Sequence, residues 1–209
     1  MQSPPRVVAN GFLQRLNSIR AIAACCAAVL LGACAGSPPN ADPRAAVPLA
    51  LAPSVDLPRF MGRWYVIANI PYFAERGYVG SYVDYSLRAD GDIDDIFSGH
   101  KNSFDKPLER KTLKDSVVAG SNNARWKSSP FWPLSFDFLI LYVDPQYRYA
   151  LIGYPDRKWG WVFARQPEIA QADYQALLAR LAAQGYDTAQ FQRVPQSVEQ
   201  LGLPGFQTP

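Results

Sequence analysis

Phe136-Asp137-Phe138-Leu139-Ile140-Leu141-Tyr142-Val143 leads into Asp144-Pro145-Gln146, and the chain resumes as Tyr147 to Gly153; Pro155-Asp156-Arg157 then leads into Trp159 to Arg165. Three runs rich in aromatic and β-branched residues, punctuated by proline and aspartate turns, predict three antiparallel strands joined by short connections. The same grammar extends upstream. Arg63 to Ile70 lies between Gly62 and Pro71, and Tyr78 to Leu87 is dense in Tyr and Val. Ala89-Asp90-Gly91-Asp92 is a turn signal, so Ile93 to His100 should return as a partner strand. Leu108 to Val118 and Ala124 to Lys127 are weaker candidates. Eight short strands with turns between them predict an all-β sandwich or barrel.

Downstream the period changes. Tyr174, Leu177, Leu178 and Leu181 are spaced as one face of a helix. Pro167 suits a first helical turn and Gly185 a C-terminal cap, which predicts an amphipathic helix of about 17 residues packed on the sheet. Phe191 to Val194 could add a short strand. Residues 196–209 have no period and are expected to be loose.

The N-terminus reads as a separate segment. Arg6, Arg15 and Arg20 precede the apolar run Ala21 to Leu31, and no acid appears before Asp42. A basic stretch, an apolar core of about eleven residues and a small-residue cut site describe a secretory signal peptide, 1–33. The run is too short to span a bilayer. Leu31-Gly32-Ala33-Cys34 resembles the bacterial lipobox, in which the cysteine is acylated and becomes the first mature residue. Residues 34–54, with Pro38, Pro39, Pro43, Pro48 and Pro53, then read as an acylated Cys34 on a flexible tether, ahead of one domain over 55–195.

Removing the leader changes what composition says. The formal charge of +3 rests on the three early arginines; without them, 18 basic residues face 18 acidic ones. Electrostatic binding to nucleic acid is not supported. Cys25 and Cys26 leave with the leader and Cys34 is the lipid site, so no disulfide framework, thiolate metal site or catalytic thiol remains. Aromatic residues make up 13% of the chain, enough for a large core or an apolar cavity.

No catalytic set is visible, and no cofactor or metal is expected. His100 is the single histidine and no nucleophile-elbow pattern accompanies it. Asp90, Asp92 and Asp94 fit the first positions of a calcium loop, but Asp95 stands where that loop needs glycine and Lys101 where it needs glutamate. A hairpin turn is the better reading. Arg110, Lys111 and Lys114, alternating with Glu109 and Asp115, read as an exposed strand surface. Arg76, beside Glu75 in the loop after the first strand, is a candidate for the rim of a barrel mouth.

Asp56-Leu57-Pro58-Arg59-Phe60-Met61-Gly62-Arg63-Trp64-Tyr65 resembles the opening of the lipocalins, with their Gly-x-Trp signature. Phe73-Ala74-Glu75-Arg76-Gly77 and Tyr85-Ser86-Leu87-Arg88-Ala89-Asp90-Gly91 are similar to the following stretches of the bacterial lipocalin group. Val143-Asp144-Pro145-Gln146-Tyr147-Arg148-Tyr149-Ala150 resembles the second signature, and Arg165 sits where the third places its arginine. The order and spacing agree from about residue 56 to 194. The resemblance implies an eight-stranded antiparallel up-and-down barrel with one C-terminal helix outside it. Such a barrel is just wide enough to hold one small ligand. It also implies that Gly62, Trp64 and Arg165 form a structural plug at the closed end.

Strand alternation assigns faces from there. With Trp64 inward, Val66 and Ala68 follow; with Arg165 inward, so do Phe163 and Trp161. Tyr149 on the seventh strand, Phe136 and Phe138 on the sixth, and Val83, Tyr85 and Phe97 from the second and third complete the expected ligand-binding set. Asp84, Asp95 and Asp137 are read as facing outward, which leaves an enzyme without a carboxylate inside the cup. The resemblance implies a non-enzymatic carrier of fatty acids or lysophospholipids, anchored by acyl chains. Ala35 after the cysteine favours the bacterial outer membrane. A dimer is left open. The competing expectation is a barrel filled by its own side chains, among them Phe136, Phe138, Trp132 and Trp161.

Overall fold

The structure, a computed structural model, describes residues 49–131 and 133–209. The expected leader, Cys34 and the tether as far as residue 48 lie outside them, as does Trp132. The domain opens on a short helix, α1 (Leu57–Phe60), capped by the Asp56 carboxylate, which accepts from the Arg59 N–H. Pro58 stands in its first turn, where its missing N–H leaves no hydrogen bond unmade. Gly62, at φ +88°, then swings the chain into the first strand through backbone that a side chain would strain.

Nine strands follow: β1 (Gly62–Asn69), β2 (Tyr78–Leu87), β3 (Ile93–Lys101), β4 (Leu108–Val117), β5 (Arg125–Phe131), β6 (Leu134–Val143), β7 (Tyr149–Gly153), β8 (Gly160–Ala164) and β9 (Gln192–Arg193). Each of the first eight pairs antiparallel with its chain neighbour, and β1 pairs with both β2 and β8. The sheet therefore closes on itself as a barrel. Closure removes the unpaired strand edges that an open sheet would present. The short β9 adds to the upper end of β1, through Ala68 and Asn69.

Two apolar layers hold the barrel. Inward residues such as Phe60, Trp64, Ile93, Trp126, Ile140 and Ile152 form one cluster. Outward residues Ile67, Ala68, Leu139, Leu141, Leu151, Val162 and Ala164 form the other, under helix α2 (Gln171–Ala183). Tyr174, Leu177 and Leu181 are the buried stripe of α2, each contributing about 1.5–3 kcal/mol by burial. The helix is shorter than its sequence signals suggest, because Ala170 is still extended and α2 begins only after it.

The tail departs from expectation. Val194 N–H donates to Ile67 O at 2.9 Å, and Gly80 N–H donates to Pro195 O at 2.7 Å. The Gln196 amide reaches Val66 O at 2.9 Å and Ser81 O at 3.0 Å, while buried Gln207 donates to Asn69 Oδ1 at 2.5 Å. Residues 196–209 are tied to the barrel by polar contacts, which leave no apolar period in the sequence.

Candidate functional site

One end of the barrel is filled from Trp64 outward. Its indole is fully buried and donates to Phe60 O at 2.8 Å. The Arg165 guanidinium lies 3.8 Å over the indole ring. Its donors reach Arg59 O, Phe60 O, Met61 O and Arg63 O at 2.6–3.1 Å, closing the turn between α1 and β1. Burial without an acidic partner pulls this arginine down to about 10. A Cβ on Gly62 would stand 3.6 Å from Arg165 Nη1, so the turn and the arginine share one small space. Above them Phe60, Tyr85, Trp126 and Phe138 stack at 5.2–5.7 Å between ring centroids.

Above this aromatic layer the barrel holds a cavity of about 550 Å³, open at the opposite end. Half of its lining residues are aromatic, and Val83, Tyr85, Phe97, Phe136, Phe138, Trp161 and Phe163 from the expected set all border it. The competing picture of a barrel filled by its own side chains is at odds with this space; Trp132, one of the residues it invoked, lies outside the described residues.

Three of the expected lining residues are elsewhere. Val66 faces inward but is buried in the packed layer below the cavity. Ala68 belongs to the outer layer under α2, because β1 carries a register shift between Val66 and Ala68 that inverts the alternation. That shift also turns Asn69 toward the mouth. Tyr149 packs on the outer layer too, its hydroxyl donating to Asp173 Oδ2 of α2 at 2.8 Å. On β7 it is the alternate residues, Ala150 and Ile152, that join the inner cluster.

The acids also need correction. Asp84 lies on the outer face, paired with Arg63 at 2.9 Å, while Asp137 borders the cavity as well as pairing with Arg125 and Lys127 at 2.8 and 3.0 Å. Asp95 borders the cavity too and is 7% exposed. Asp115, expected on an exposed strand surface, is completely buried on the same inner face. In register, Asp95 stands opposite Tyr85 of β2, and Asp115 opposite Ser128 of β5. Burial drives both carboxyls upward, Asp115 to about 7, and at Asp95 the neighbouring Asp115 and Glu75 charges add to the rise.

The mouth is narrowed by the loop between β1 and β2. Its inward residue is Glu75 rather than Arg76. The Glu75 carboxylate accepts from Asn69 Nδ2 at 2.7 Å, Trp161 Nε1 at 2.9 Å and the Tyr72 hydroxyl at 3.2 Å. Burial raises its pKa while these donors and the Lys111 charge lower it. Lys111, also read as an exposed residue, borders the cavity instead and donates to Ala74 O at 2.5 Å. His100 is occupied near the rim, its Nδ1 2.6 Å from Lys106 O. The Asp90, Asp92 and Asp94 turn is neutralised by Arg88 and Lys114.

Residues 55–196 match the model of the lipocalin-like domain family. The chain is similar to outer membrane lipoprotein Blc of Escherichia coli strain K12, at 31% identity over 171 residues, covering 81% of this chain and 92% of that protein. It is similar to temperature-induced lipocalin-1 of Arabidopsis thaliana, at 30% identity over 152 residues, 68% of this chain and 80% of the relative. Among solved structures, insecticyanin from the tobacco hornworm Manduca sexta superposes with a TM-score of 0.57 at 16% identity, over 72% of this chain and 86% of its own. Lobster apocrustacyanin A1 gives a TM-score of 0.52 at 15% identity, over 68% and 80%. At these identities the two structures speak to the barrel fold alone.

Proposed function

The chain belongs to the lipocalin family, and from that premise we propose that it holds a single-chain amphiphile, a fatty acid or lysophospholipid, in its barrel. The observation that carries the proposal is the 550 Å³ aromatic-walled cavity, open at one end and sealed at the other by Trp64 and Arg165. Cavities of about 300–1,000 Å³ suit small ligands, and each methylene buried in one contributes about 0.8 kcal/mol. We further propose that Cys34 is acylated and that the protein is anchored at the outer membrane of a bacterial envelope. Support comes from the Leu31-Gly32-Ala33-Cys34 sequence, from Ala35 behind it, and from the names of the bacterial relatives.

We read this as binding rather than catalysis. Asp95 supplies a carboxyl and Ser128 a hydroxyl at the cavity, but His100, the single histidine that could activate a hydroxyl, is engaged elsewhere. Native mass spectrometry of the chain from residue 34 onward, with Cys34→Ser, purified from a bacterial envelope extract, tests the proposal. A discrete lipid adduct that disappears in Phe138→Asp or Trp161→Glu is expected, and the same spectrum reads monomer against dimer. A protein that stays bare after incubation with fatty acids and lysophospholipids overturns it.

A further inference from the structure

No hydrogen bond engages the carboxyl of Asp115, and its neighbour Asp95 borders the cavity. Glu75, by contrast, is saturated: three donors hold it and Lys111 compensates its charge. Asp95 and Asp115 lie deeper, on adjacent strands: Asp95, opposite Tyr85 of the aromatic layer, borders the cavity, and Asp115 is fully buried beside it. They are diagonal neighbours, since Asp95 pairs with Leu113 and Asp115 with Ile93. Both oxygens of Asp115 are buried with no hydrogen-bond partner. The Ser128 hydroxyl is near enough to favour its ionised form yet outside hydrogen-bond geometry. Among the described residues bordering the cavity, Lys111 is the one cation, and it is engaged with Ala74 at the mouth.

A fully buried carboxyl without a donor, as at Asp115, is unusual, because an unsatisfied buried polar group costs about 1–3 kcal/mol; at the neighbouring Asp95 the Tyr85 hydroxyl favours the ionised form. Two neighbouring carboxyls do not both ionise readily, so one proton between them leaves a single negative charge at the floor. The aromatic faces of Tyr85, Phe97 and Phe138 surround the space above it. A fatty acid enters this floor tail first, its carboxylate staying at the mouth, because carboxylate first it meets like charge; its tail then leaves the acids without a charged partner. An ammonium group answers each feature at once: it brings N–H donors, a compensating charge and a cation for the aromatic faces.

We propose that Asp95 and Asp115 form a subsite for the protonated amine of a long-chain amine, which enters the barrel head first with its chain toward the mouth. The inference rests on the barrel being a cup for a single-chain amphiphile and decides which end goes to the floor. Neutrality is kept, with one ammonium against the singly charged pair.

Titrating the chain from residue 34 onward, carrying Cys34→Ser, with dodecylamine, dodecanoic acid and dodecanol at pH 7 tests it by quenching of tryptophan fluorescence. Dodecylamine is expected to bind about tenfold or more tighter than the other two. In Asp95→Asn/Asp115→Asn it should fall to the level of dodecanol, whose own binding persists. The preference should also fade at pH 5, where the pair is fully protonated. The groups facing the pair are Tyr85 from β2 and Tyr72 and Glu75 from the mouth loop, and Lys111 from β4 and Asp137 from β6 border the same cavity. The tyrosines are raised by burial and stay neutral at either pH. The asparagine pair isolates the effect of Asp95 and Asp115 from that of Glu75 and Lys111. Dodecanoic acid or dodecanol binding as tightly as the amine, or a preference that survives in the double variant, overturns the subsite and leaves the cup standing. Failure of all three to bind removes the cup and the subsite together.

Discussion

At the scale of single residues, Arg165 and Asp115 show what burial does to charge under opposite conditions. Arg165 meets four carbonyls of the α1–β1 turn, and Arg165→Met strips their donor while keeping much of the volume. We expect a loss of about 2–4 kcal/mol in urea denaturation, with ligand stoichiometry unchanged in the folded fraction. A variant as stable as the parent would show that the seal does not depend on this residue. Asp115 has no donor, and burial lifts it from 3.8 to about 7. The native state then keeps a proton that the unfolded chain has released. Stability from this group falls as pH rises from about 4 to 7, and the penalty is complete above that, each tenfold gain in proton affinity on folding costing about 1.4 kcal/mol. Asp115→Asn should therefore gain stability at pH 8 and change little at pH 4, in urea melts at the two pH values. Loss of stability at pH 8 would mean that the carboxylate has a partner. The sequence held part of this. Once Phe97 is set inward, Asp95 two residues earlier must share its face, and Lys111 lies directly opposite Phe97. What the residue types suggested, that acids and lysines face water, was overridden by strand parity.

At the scale of elements, the strands were legible because turns and alternating side chains mark them, and the helix because its period changes. Bulges are not marked in the same way. Nothing in Val66-Ile67-Ala68 announces the register shift that sends Ala68 outside, and parity carried from Trp64 past that point inverts. Tyr149 was misplaced for a related reason: parity alone leaves two faces to choose between, and the choice on β7 is fixed by packing against α2. That packing is close at one glycine. A Cβ on Gly153 would stand 2.6 Å from both Leu141 Cδ1 and the Tyr186 hydroxyl. The same hydroxyl accepts from Tyr154 N–H at 2.9 Å and donates to Trp159 O at 3.1 Å, pinning the chain after α2 to the β7–β8 turn. Gly153→Ala should force these contacts apart at a cost of about 1–3 kcal/mol, read as a lower thermal midpoint. Tyr186→Phe in the same background should partly restore it, since the hydroxyl is half of the clash. If Gly153→Ala melts with the parent, the approach relaxes without loss.

For the whole molecule, the decisive feature is how the barrel closes. β1 and β2 pair over Gly62 to Tyr65 and Tyr82 to Tyr85, and no further toward the mouth. Beyond that point both strands are irregular, with shifts at Val66/Ala68 and at Val79/Tyr82. The carbonyls and N–H groups exposed by the parting are taken up by the C-terminal segment. Val194 N–H reaches Ile67 O, Pro195 O receives Gly80 N–H, and the Gln196 amide bridges Val66 O and Ser81 O. The tail works as a seam between the first two strands, beside the wall that Val83 and Tyr85 give the cavity. A chain ending at Val194 should keep its helix and most strands but leave several backbone groups unpaired. We expect its thermal midpoint to fall and amide exchange to accelerate at Val66, Gly80 and Ser81 more than at Trp126 or Ile152. Gln196→Ala alone should reproduce a smaller part of both effects, at about 1–2 kcal/mol. Uniform exchange across all strands, or an unchanged midpoint on truncation, would show that β1 and β2 hold together without the tail.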